Sequence, residues 1–355
     1  MTRIFLIRHA EAEGNIYRRA HGHYNGLVTS RGYKQIKRLE ARFADEHIDA
    51  IYSSDLSRAA DTAKALSEPK GLPVNMTEQL REVAMGEWED MAWGDIEFSF
   101  REMNRHFGYD PAKWSVRDGE SYENVKKRMF SFLEETAKKH EWETIALFSH
   151  GFAIRALSCL LEGIPSHETD KMPYCDNTAV GLILYNNGKF ILEHHSCNKH
   201  LSEEHSTLAQ QTWWRKEKNR VSENLRFMQL NEVNFGDLLR IFQAKAGERA
   251  HVDVQYAAFH GDEPIGIIGL DTIRDKKMGI GWLSYIHVVP NHRNKSYATQ
   301  LLGLAISDFR KLKRERLRME LPSGSLGINF MSRLGFDVLD VTDLNCLMEK
   351  NIRNW

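Results

Sequence analysis

The chain reads as two folds in succession: an α/β domain with a largely parallel sheet, then an α+β domain with a mostly antiparallel one. Three observations predict this. Short apolar runs at 3–7, 49–53 and 143–148 alternate with amphipathic stretches at 29–43, 56–66, 122–138 and 152–161, the pattern of parallel strands joined by helices. A polar, charged stretch at 202–222 interrupts that pattern, which restarts near residue 223 with strands dominant. A length of 355 residues is also long for one compact domain and comfortable for two.

Taken in order, the run Ile4-Phe5-Leu6-Ile7 is short, continuous and apolar, as a buried strand requires, and 49–53 and 143–148 read the same way. The helical stretches between them carry apolar residues on one face. Runs at 179–185 and 189–193 flank Asn186-Asn187-Gly188, whose Asn-Gly step is a hairpin signal, so this pair closes the first sheet. The stretch 202–222 lacks the Gly, Ser or Pro richness of a flexible linker and is expected to be a helical connector. The expected division is therefore 1–201, a connector at 202–222, and 223–355. In the last part strands are predicted at 225–230, 252–259, 264–272, 279–289 and 316–321, helices at 235–246, 295–312 and 325–334, then a final strand pair.

Composition narrows the function classes. Hydrophobic content of 42% and charged content of 27% are those of an ordinary globular protein. A formal net charge of -1 argues against a surface built for polyanions, so no nucleic-acid partner is expected. Cys159, Cys175, Cys197 and Cys346 are widely spaced with no CxxC pair, which argues against a disulfide framework and fits a reducing compartment. The N-terminal run is too brief for a signal peptide and nothing approaches twenty apolar residues, so a cytoplasmic protein without a membrane partner is expected.

Reactive side chains gather after the predicted strands. Arg8-His9 ends the first run, and Ser149-His150 ends another. Arg58 lies in Ser53-Ser54-Asp55-Leu56-Ser57-Arg58, and Glu82 in Leu80-Arg81-Glu82-Val83. In open α/β sheets such residues meet at the carboxyl ends of the strands. Two histidines, two arginines and a carboxyl group suffice for phosphoryl transfer without a metal. One histidine attacks phosphorus, cationic donors bind the equatorial oxygens, and the carboxyl group protonates the leaving group.

These motifs, in this order, resemble the histidine phosphatase superfamily (phosphoglycerate-mutase-like) over about the first two hundred residues. The resemblance implies a three-layer domain with a mostly parallel sheet. It implies His9 as nucleophile, Glu82 as proton donor and then base, and Arg8, Asn15, Arg58 and His150 as ligands of the substrate phosphate. The arginines would lower the pKa of His9 by like-charge repulsion, and His150, if protonated, would add a third cation. Ala10, Ala12, Asn25 and Leu27 depart from the usual pattern without removing a charged group, so substrate fit is affected more than chemistry. The modest insertion between Glu82 and His150, with Asp118-Gly119-Glu120-Ser121-Tyr122, resembles the phosphatase branch. Hydrolysis of a small phosphomonoester is therefore expected over the alternative, a phosphoglycerate-type mutase. Trp88, Trp93, Phe98 and Phe100 either line a substrate pocket or pack the insertion onto the domain. His194, His195, Cys197, His200 and His205 are spaced too loosely for a closed zinc site, and no metal is expected.

In the second part, Ile286-His287-Val288-Val289-Pro290 leads through Asn291-His292-Arg293-Asn294-Lys295-Ser296 into a helix beginning Tyr297-Ala298. A strand, a turn of small residues and a helix start form a cradle of backbone N–H groups for a pyrophosphate. With Asn329-Phe330-Met331-Ser332-Arg333-Leu334-Gly335-Phe336 downstream, this resembles the GNAT (GCN5-related) N-acetyltransferase family over about 223–350. The resemblance implies acetyl-CoA as cofactor and an amine as acceptor. Val288 and Val289 would pair with the pantetheine arm, and Arg293, Lys295, Ser296, Tyr297 and Ala298 would hold the pyrophosphate. Ser296 stands where the family has its first glycine, so a Cβ there costs freedom if φ is positive. Met331 stands where many members have an acidic tyrosine and has no proton to give; Asp271 and His287 are the candidate bases. The alternative is a domain without transfer activity that binds CoA and regulates the phosphatase. Oligomeric state is not legible.

Overall fold

The computed structural model describes residues 1–211, 214, 223–230 and 251–354. The helix expected at 235–246, and most of the expected connector, lie outside the described residues. Two compact units form. The first holds Met1–Ala12, Ala20–Glu89 and Phe100–Glu217; the second holds Glu13–Arg19, Asp90–Ser99 and Lys218–Trp355.

The first unit is built on a six-stranded sheet in the order β3-β2-β4-β1-β5-β6. Its strands are β1 (Thr2–Arg8), β2 (Ala50–Ser54), β3 (Val74–Thr77), β4 (Thr144–Ser149), β5 (Val180–Asn186) and β6 (Lys189–Cys197). The four strands β1 to β4 run parallel, and β5 and β6 add an antiparallel edge through the Asn187-Gly188 turn. Successive side chains of a strand face opposite ways, and both faces of β1 are buried. Phe5 and Ile7 share a core with Ile51 and Phe148 and with Ile36, Leu39 and Leu66, from α2 (Ser30–Arg42) and α3 (Ser57–Lys70). Ile4, Leu6, Ile145 and Leu147 are buried on the opposite face, on the side of α6 (Tyr122–Lys139) and α7 (Gly151–Leu161). Full burial of such a side chain stabilises by roughly 1.5–3 kcal/mol relative to exposure. The result is three layers around a mostly parallel sheet. Residues 202–211 are turns rather than the expected connector helix. The side chains of Ser206 and Thr207 there bond Asp176 and Glu11, partners that compete with a helix.

The second unit carries a seven-stranded sheet in the order β12-β13-β11-β10-β9-β8-β7. The strands are β7 (Arg226–Gln229), β8 (Val254–His260), β9 (Glu263–Asp271), β10 (Ile280–Val288), β11 (Arg316–Pro322), β12 (Asp337–Val341) and β13 (Asn345–Asn351). All neighbours are antiparallel except β10 and β11. Those two are in register only from Ile280↔Arg316 to Trp282↔Arg318 and then part. The long helix α8 (Tyr297–Lys311) buries Leu301, Leu302, Ala305, Ile306 and Phe309 against Ile265, Ile268, Leu270 and Leu283; α9 (Leu326–Arg333) adds Met331. Two short helices, α1 (Glu13–Tyr17) and α4 (Trp93–Ser99), belong to this unit, whereas α5 (Arg101–Tyr109) belongs to the first. Among the described residues no helix is long and apolar enough to cross a membrane. The four cysteines are all free.

Candidate active site

Each parallel strand of the first sheet delivers one part of a single site at its carboxyl end. Strand β1 ends in Arg8 and continues to His9, β2 leads into α3 with Arg58, β3 leads to Glu82, and β4 ends beside His150. The β1–β4 register sets Arg8 opposite Ser149, and the His9 amide donates to the Ser149 carbonyl at 2.9 Å. Hence the two histidine rings lie with centroids 5.1 Å apart.

His9 is buried, 3% exposed. Its Nδ1 lies 2.7 Å from the Ala10 carbonyl oxygen, which can only accept, so Nδ1 carries the proton and Nε2 keeps its lone pair. Burial, then the charges of Arg58 and Arg8, push the His9 pKa well below the ordinary histidine value. A neutral imidazole with Nε2 free of its proton is the form a nucleophile needs. Asn177 and Thr178 fix the backbone: the Asn177 amide donates to the His9 carbonyl at 2.9 Å, and the Thr178 N–H to the Arg8 carbonyl at 3.1 Å.

Arg58 is fully buried, and burial lowers its pKa to about 10. Its fork donates to the carbonyls of Gly22 (2.7 Å), Tyr24 (3.2 Å) and His21 (3.4 Å) and to His21 Nε2 (2.9 Å). A lysine could not serve four acceptors in this geometry. Arg8 donates to the Cys175 carbonyl at 2.5 Å, while its Nε is buried without a partner. The residue after His150 is Gly151, where a Cβ would lie 3.2 Å from that Nε, so a small residue is needed for the guanidinium to pass.

Both ring nitrogens of fully buried His150 lack a partner, as do the Nε atoms of Arg8 and Arg58. Buried polar atoms are rarely left unsatisfied unless a ligand uses them. The sequence left open a protonated His150. Burial, then Arg58, His9 and His21, push its pKa well below the usual range, so the resting ring is neutral. It offers one N–H rather than a charge.

Glu82 is buried at the start of α7. It accepts from the amides of Phe152 (3.0 Å), Ala153 (2.9 Å) and its own neighbour Val83 (3.0 Å). Glu82 thus takes the capping role, because the N-cap residue His150 makes no side-chain cap bond. Arg128 of α6 steadies the segment, donating to the Glu82 carbonyl at 3.0 Å and pairing with Glu120 at 2.7 Å. Around this end of α7, Phe152 stacks on Phe107 (4.9 Å), which meets Trp114 (5.1 Å), and fully buried Trp88 completes the cluster. Trp88 and Phe100 are therefore packing partners, 5.7 Å apart. Trp93 and Phe98 lie on α4 in the second unit, as Asn15 lies on α1 of that unit.

Sequence reasoning missed His21. Its ring centroid is 6.3 Å from that of His9, and its Nε2 accepts from Arg58 and from the Gly26 amide (3.2 Å). The signal was present in Arg19-Ala20-His21-Gly22-His23, two histidines in a loop soon after the nucleophile. The loosely spaced histidines 194 to 205 find other partners: His195 meets Ser158 and the Pro173 carbonyl, His200 meets Arg42 and Thr178, and His205 meets Ser202.

Residues 4–198 match the model of the histidine phosphatase superfamily, branch 1. The chain belongs to that superfamily. Residues 192–336 match the model of the acetyltransferase (GNAT) family. As a histidine phosphatase superfamily member the chain is 34% identical over 183 residues to phosphoserine phosphatase 1 of Hydrogenobacter thermophilus, covering 52% of this chain and 86% of that protein. It is 28% identical to a probable phosphoglycerate mutase of Yersinia pestis over 47% of this chain and 78% of that one. Among solved structures it resembles Bacillus stearothermophilus YhfR, with a TM-score of 0.55 and 27% identity, covering 56% of this chain and 99% of that one. A mycobacterial glucosyl-3-phosphoglycerate phosphatase complexed with VO3 aligns with a TM-score of 0.51 and 26% identity, over 55% of this chain and 99% of that one.

In the second unit, the loop before α8 has two residues in the left-handed region, Asn294 (φ 61°) and Ser296 (φ 60°). Such a turn directs successive backbone N–H groups into one concavity, here at the N-terminus of a 15-residue helix. Arg293 Nε donates to the Val288 carbonyl at 3.0 Å, tying the loop to the end of β10. Beyond Trp282 the β11-facing edge of β10 is out of register with β11. Both features suit a pyrophosphate followed by an extended amide chain. Asp271 Oδ1 instead caps the turn after β9, accepting from the amides of Ile273 (3.0 Å) and Arg274 (2.8 Å), with Oδ2 3.3 Å from His251. Met331 is buried in the core.

Proposed function

We propose that the first unit hydrolyses a small phosphomonoester through a phosphohistidine at His9. The observation that carries this reading is the His9 tautomer: Nδ1–H given to Ala10, Nε2 open, in a ring kept neutral by burial beside two arginines. In the first step the Nε2 lone pair forms an N–P bond as the P–O bond to the leaving group breaks. Glu82 gives that oxygen a proton. In the second, Glu82 takes a proton from water, the water oxygen attacks phosphorus, and the N–P pair returns to Nε2. Arg8, Arg58 and His150 bind the phosphoryl oxygens, the arginines as forked cations. Both Glu82 oxygens accept amides at rest, so proton donation requires that the carboxyl group first gain a proton and loosen one of those bonds.

The test is phosphate release from a panel of sugar phosphates, phosphoglycerates, nucleotides, phosphoserine and a phosphoprotein in chelator, for wild type and His9→Ala. The relative named as a phosphoserine phosphatase puts phosphoserine first in that panel. Chelator-resistant release that vanishes in the variant supports the reading. Phosphate moving between positions of one substrate without release would replace hydrolysis with the mutase.

For the second unit, Val288, Val289, Arg293, Lys295, Ser296, Tyr297 and Ala298 would hold acetyl-CoA, whose contribution is an acetyl thioester for transfer to an amine. The left-handed loop and the parted strands support this. Titration calorimetry with acetyl-CoA and CoA tests binding. Acetyl transfer to the amines of the best phosphatase substrate or its product tests activity, and binding without transfer would favour the regulatory alternative.

A further inference from the structure

The turn from Asp176 to Ala179 belongs to the first unit and bonds the backbone of the nucleophile. The Ala179 N–H closes it on the Asp176 carbonyl at 3.1 Å, and its third residue, Thr178, has a φ of 58°. Glycine or asparagine usually takes such a place. Of the described residues with left-handed backbone, Thr178 is the one with a β-branched side chain, and it is fully buried. This conformation is costly for such a residue and persists only where the surroundings over-determine it.

Three sets of contacts do so here. The Thr178 N–H is shared between the carbonyls of Arg8 (3.1 Å) and His9 (3.3 Å), and the Asn177 side-chain amide donates to the His9 carbonyl at 2.9 Å. Asp176, 1% exposed, accepts from the backbone amides of Asn177 (2.9 Å) and Leu208 (3.2 Å) with one oxygen, and from Asn198 (3.0 Å) and Ser206 (2.5 Å) with the other. The Thr178 hydroxyl meets His200 Nε2 at 3.0 Å, and His200 Nδ1 lies 3.1 Å from Nη1 of Arg42, the last residue of α2. A guanidinium only donates, so Nδ1 holds the lone pair and Nε2–H donates to the Thr178 hydroxyl oxygen. Burial, then the charge of Arg42, lowers the His200 pKa to about 4 and keeps the ring neutral. Were Thr178 to relax to a negative φ, its hydroxyl would leave His200 and its N–H would leave two carbonyls, stranding buried groups.

Resting on the phosphatase reading above, we propose that His200 and Thr178 are positioning residues for the nucleophile. His200 holds the Thr178 side chain, the held side chain keeps the backbone left-handed, and that backbone aims its N–H at the carbonyls of Arg8 and His9. His9 is then fixed on both sides, since its own amide donates to the Ser149 carbonyl at 2.9 Å. Neither positioning residue touches the substrate.

The experiment uses the full chain, measuring kcat, KM and the thermal midpoint for the best phosphomonoester, and inhibition by vanadate and by inorganic phosphate. Vanadate takes the five-coordinate shape of the transition state only if His9 Nε2 can reach it, whereas phosphate is bound by side chains without attack. The variants are His200→Leu, His200→Gln, Thr178→Val, Thr178→Gly and the double variant Thr178→Gly/His200→Leu. Displacing a reacting group by an ångström costs on the order of 100-fold in rate, so His200→Leu and Thr178→Val are each expected to lose about 10- to 100-fold in kcat. Vanadate inhibition should weaken in parallel, and phosphate inhibition should stay within about threefold. A smaller folded fraction lowers kcat but leaves an inhibition constant unchanged, so this pair of readouts separates positioning from stability. His200→Gln, whose NH2 can donate to Thr178 as the ring does, should recover most of the loss. Glycine adopts left-handed backbone without help, so adding His200→Leu to Thr178→Gly should cost no more than about threefold further. Should His200→Leu fail to fold, Thr178→Val, which exchanges one hydroxyl for a methyl, decides the matter through the same readouts. Folded variants with wild-type kcat, a loss of kcat with vanadate inhibition unchanged, or full additivity in the glycine background would overturn the proposal while leaving the phosphatase standing. A wild-type chain that releases no phosphate would instead remove the phosphatase reading, and this proposal with it.

Discussion

Glu82→Gln is the substitution that separates architecture from chemistry at this site. In shape the change is nearly neutral, but in hydrogen bonding it is not. Oε1 accepts from Val83 and Ala153, and Oε2 accepts from Phe152. A glutamine can place its oxygen toward only one of these sets, and its NH2 then faces an amide N–H. Leaving a buried donor unsatisfied costs about 1–3 kcal/mol, and loss of a negative charge at a helix N-terminus costs roughly 0.3–1 kcal/mol more. We therefore expect a loss of about 1–4 kcal/mol in denaturant unfolding, large for a near-isosteric change. The chemical arm compares an alkyl phosphate with p-nitrophenyl phosphate, whose leaving group departs without a proton. Loss of a general acid lowers the alkyl rate by roughly 10²–10⁴-fold, and the aryl rate should fall far less. Equal losses for both substrates would refute the acid role. An unchanged stability would refute the capping geometry of Glu82 at α7.

Further outcomes rest on the protonation states and the backbone. The His9 ring should keep the Nδ1–H tautomer by ¹⁵N chemical shift as pH falls through the ordinary histidine value of 6.5, because burial and two arginines oppose its protonation; an imidazolium signature appearing at that ordinary value would contradict the proposed nucleophile. Burial lowers His195 to about 4. The unfolded chain therefore binds more protons below the ordinary value of 6.5, and stability is present above it and lost as pH falls toward 4. This histidine alone should cost up to about 2 kcal/mol between pH 7.5 and 5, and His195→Gln should flatten that slope. Ser296→Gly should raise the thermal midpoint slightly or leave it unchanged, since the left-handed penalty of about 1–2 kcal/mol is offset by the extra freedom of glycine; a clear fall would mean that the hydroxyl has a partner role in the loop.

Much of the site was legible because strand ends are legible. Ile4–Ile7 and Ile145–Phe148 are continuous apolar runs, and a parallel sheet brings the residues just past each of them to the same edge. Arg8, His9, Arg58, Glu82 and His150 could therefore be gathered on paper with no knowledge of side-chain packing. Short-range signals failed where distant partners decide. Strand β3 (Val74–Thr77) is half exposed and polar, and it exists because Ile51–Ser54 offers it a ladder. Helix α1 is five residues long, too short to form alone, and is held by packing against α8. The turns at 202–211 look helical by composition, but Asp176 and Glu11 capture their hydroxyls. His21 escaped notice because its partner, Arg58, is 37 residues away in sequence.

The composition of the second unit bears on the order in which the protein can be made. Its ion pair between Glu13 and Arg310 spans 297 residues, and the Ser307–Asp90 bond spans 217. At the usual 5–20 residues per second of synthesis, Glu13 leaves the ribosome roughly 15–60 seconds before Arg310 exists. During that interval α1 and α4 present buried-type residues, Tyr17 and Ile96 among them, with no sheet to receive them. Residues 13–19 and 90–99 thus wait longest for their packing partners within the second unit. A chaperone that engages the chain during this window would find its binding segments there.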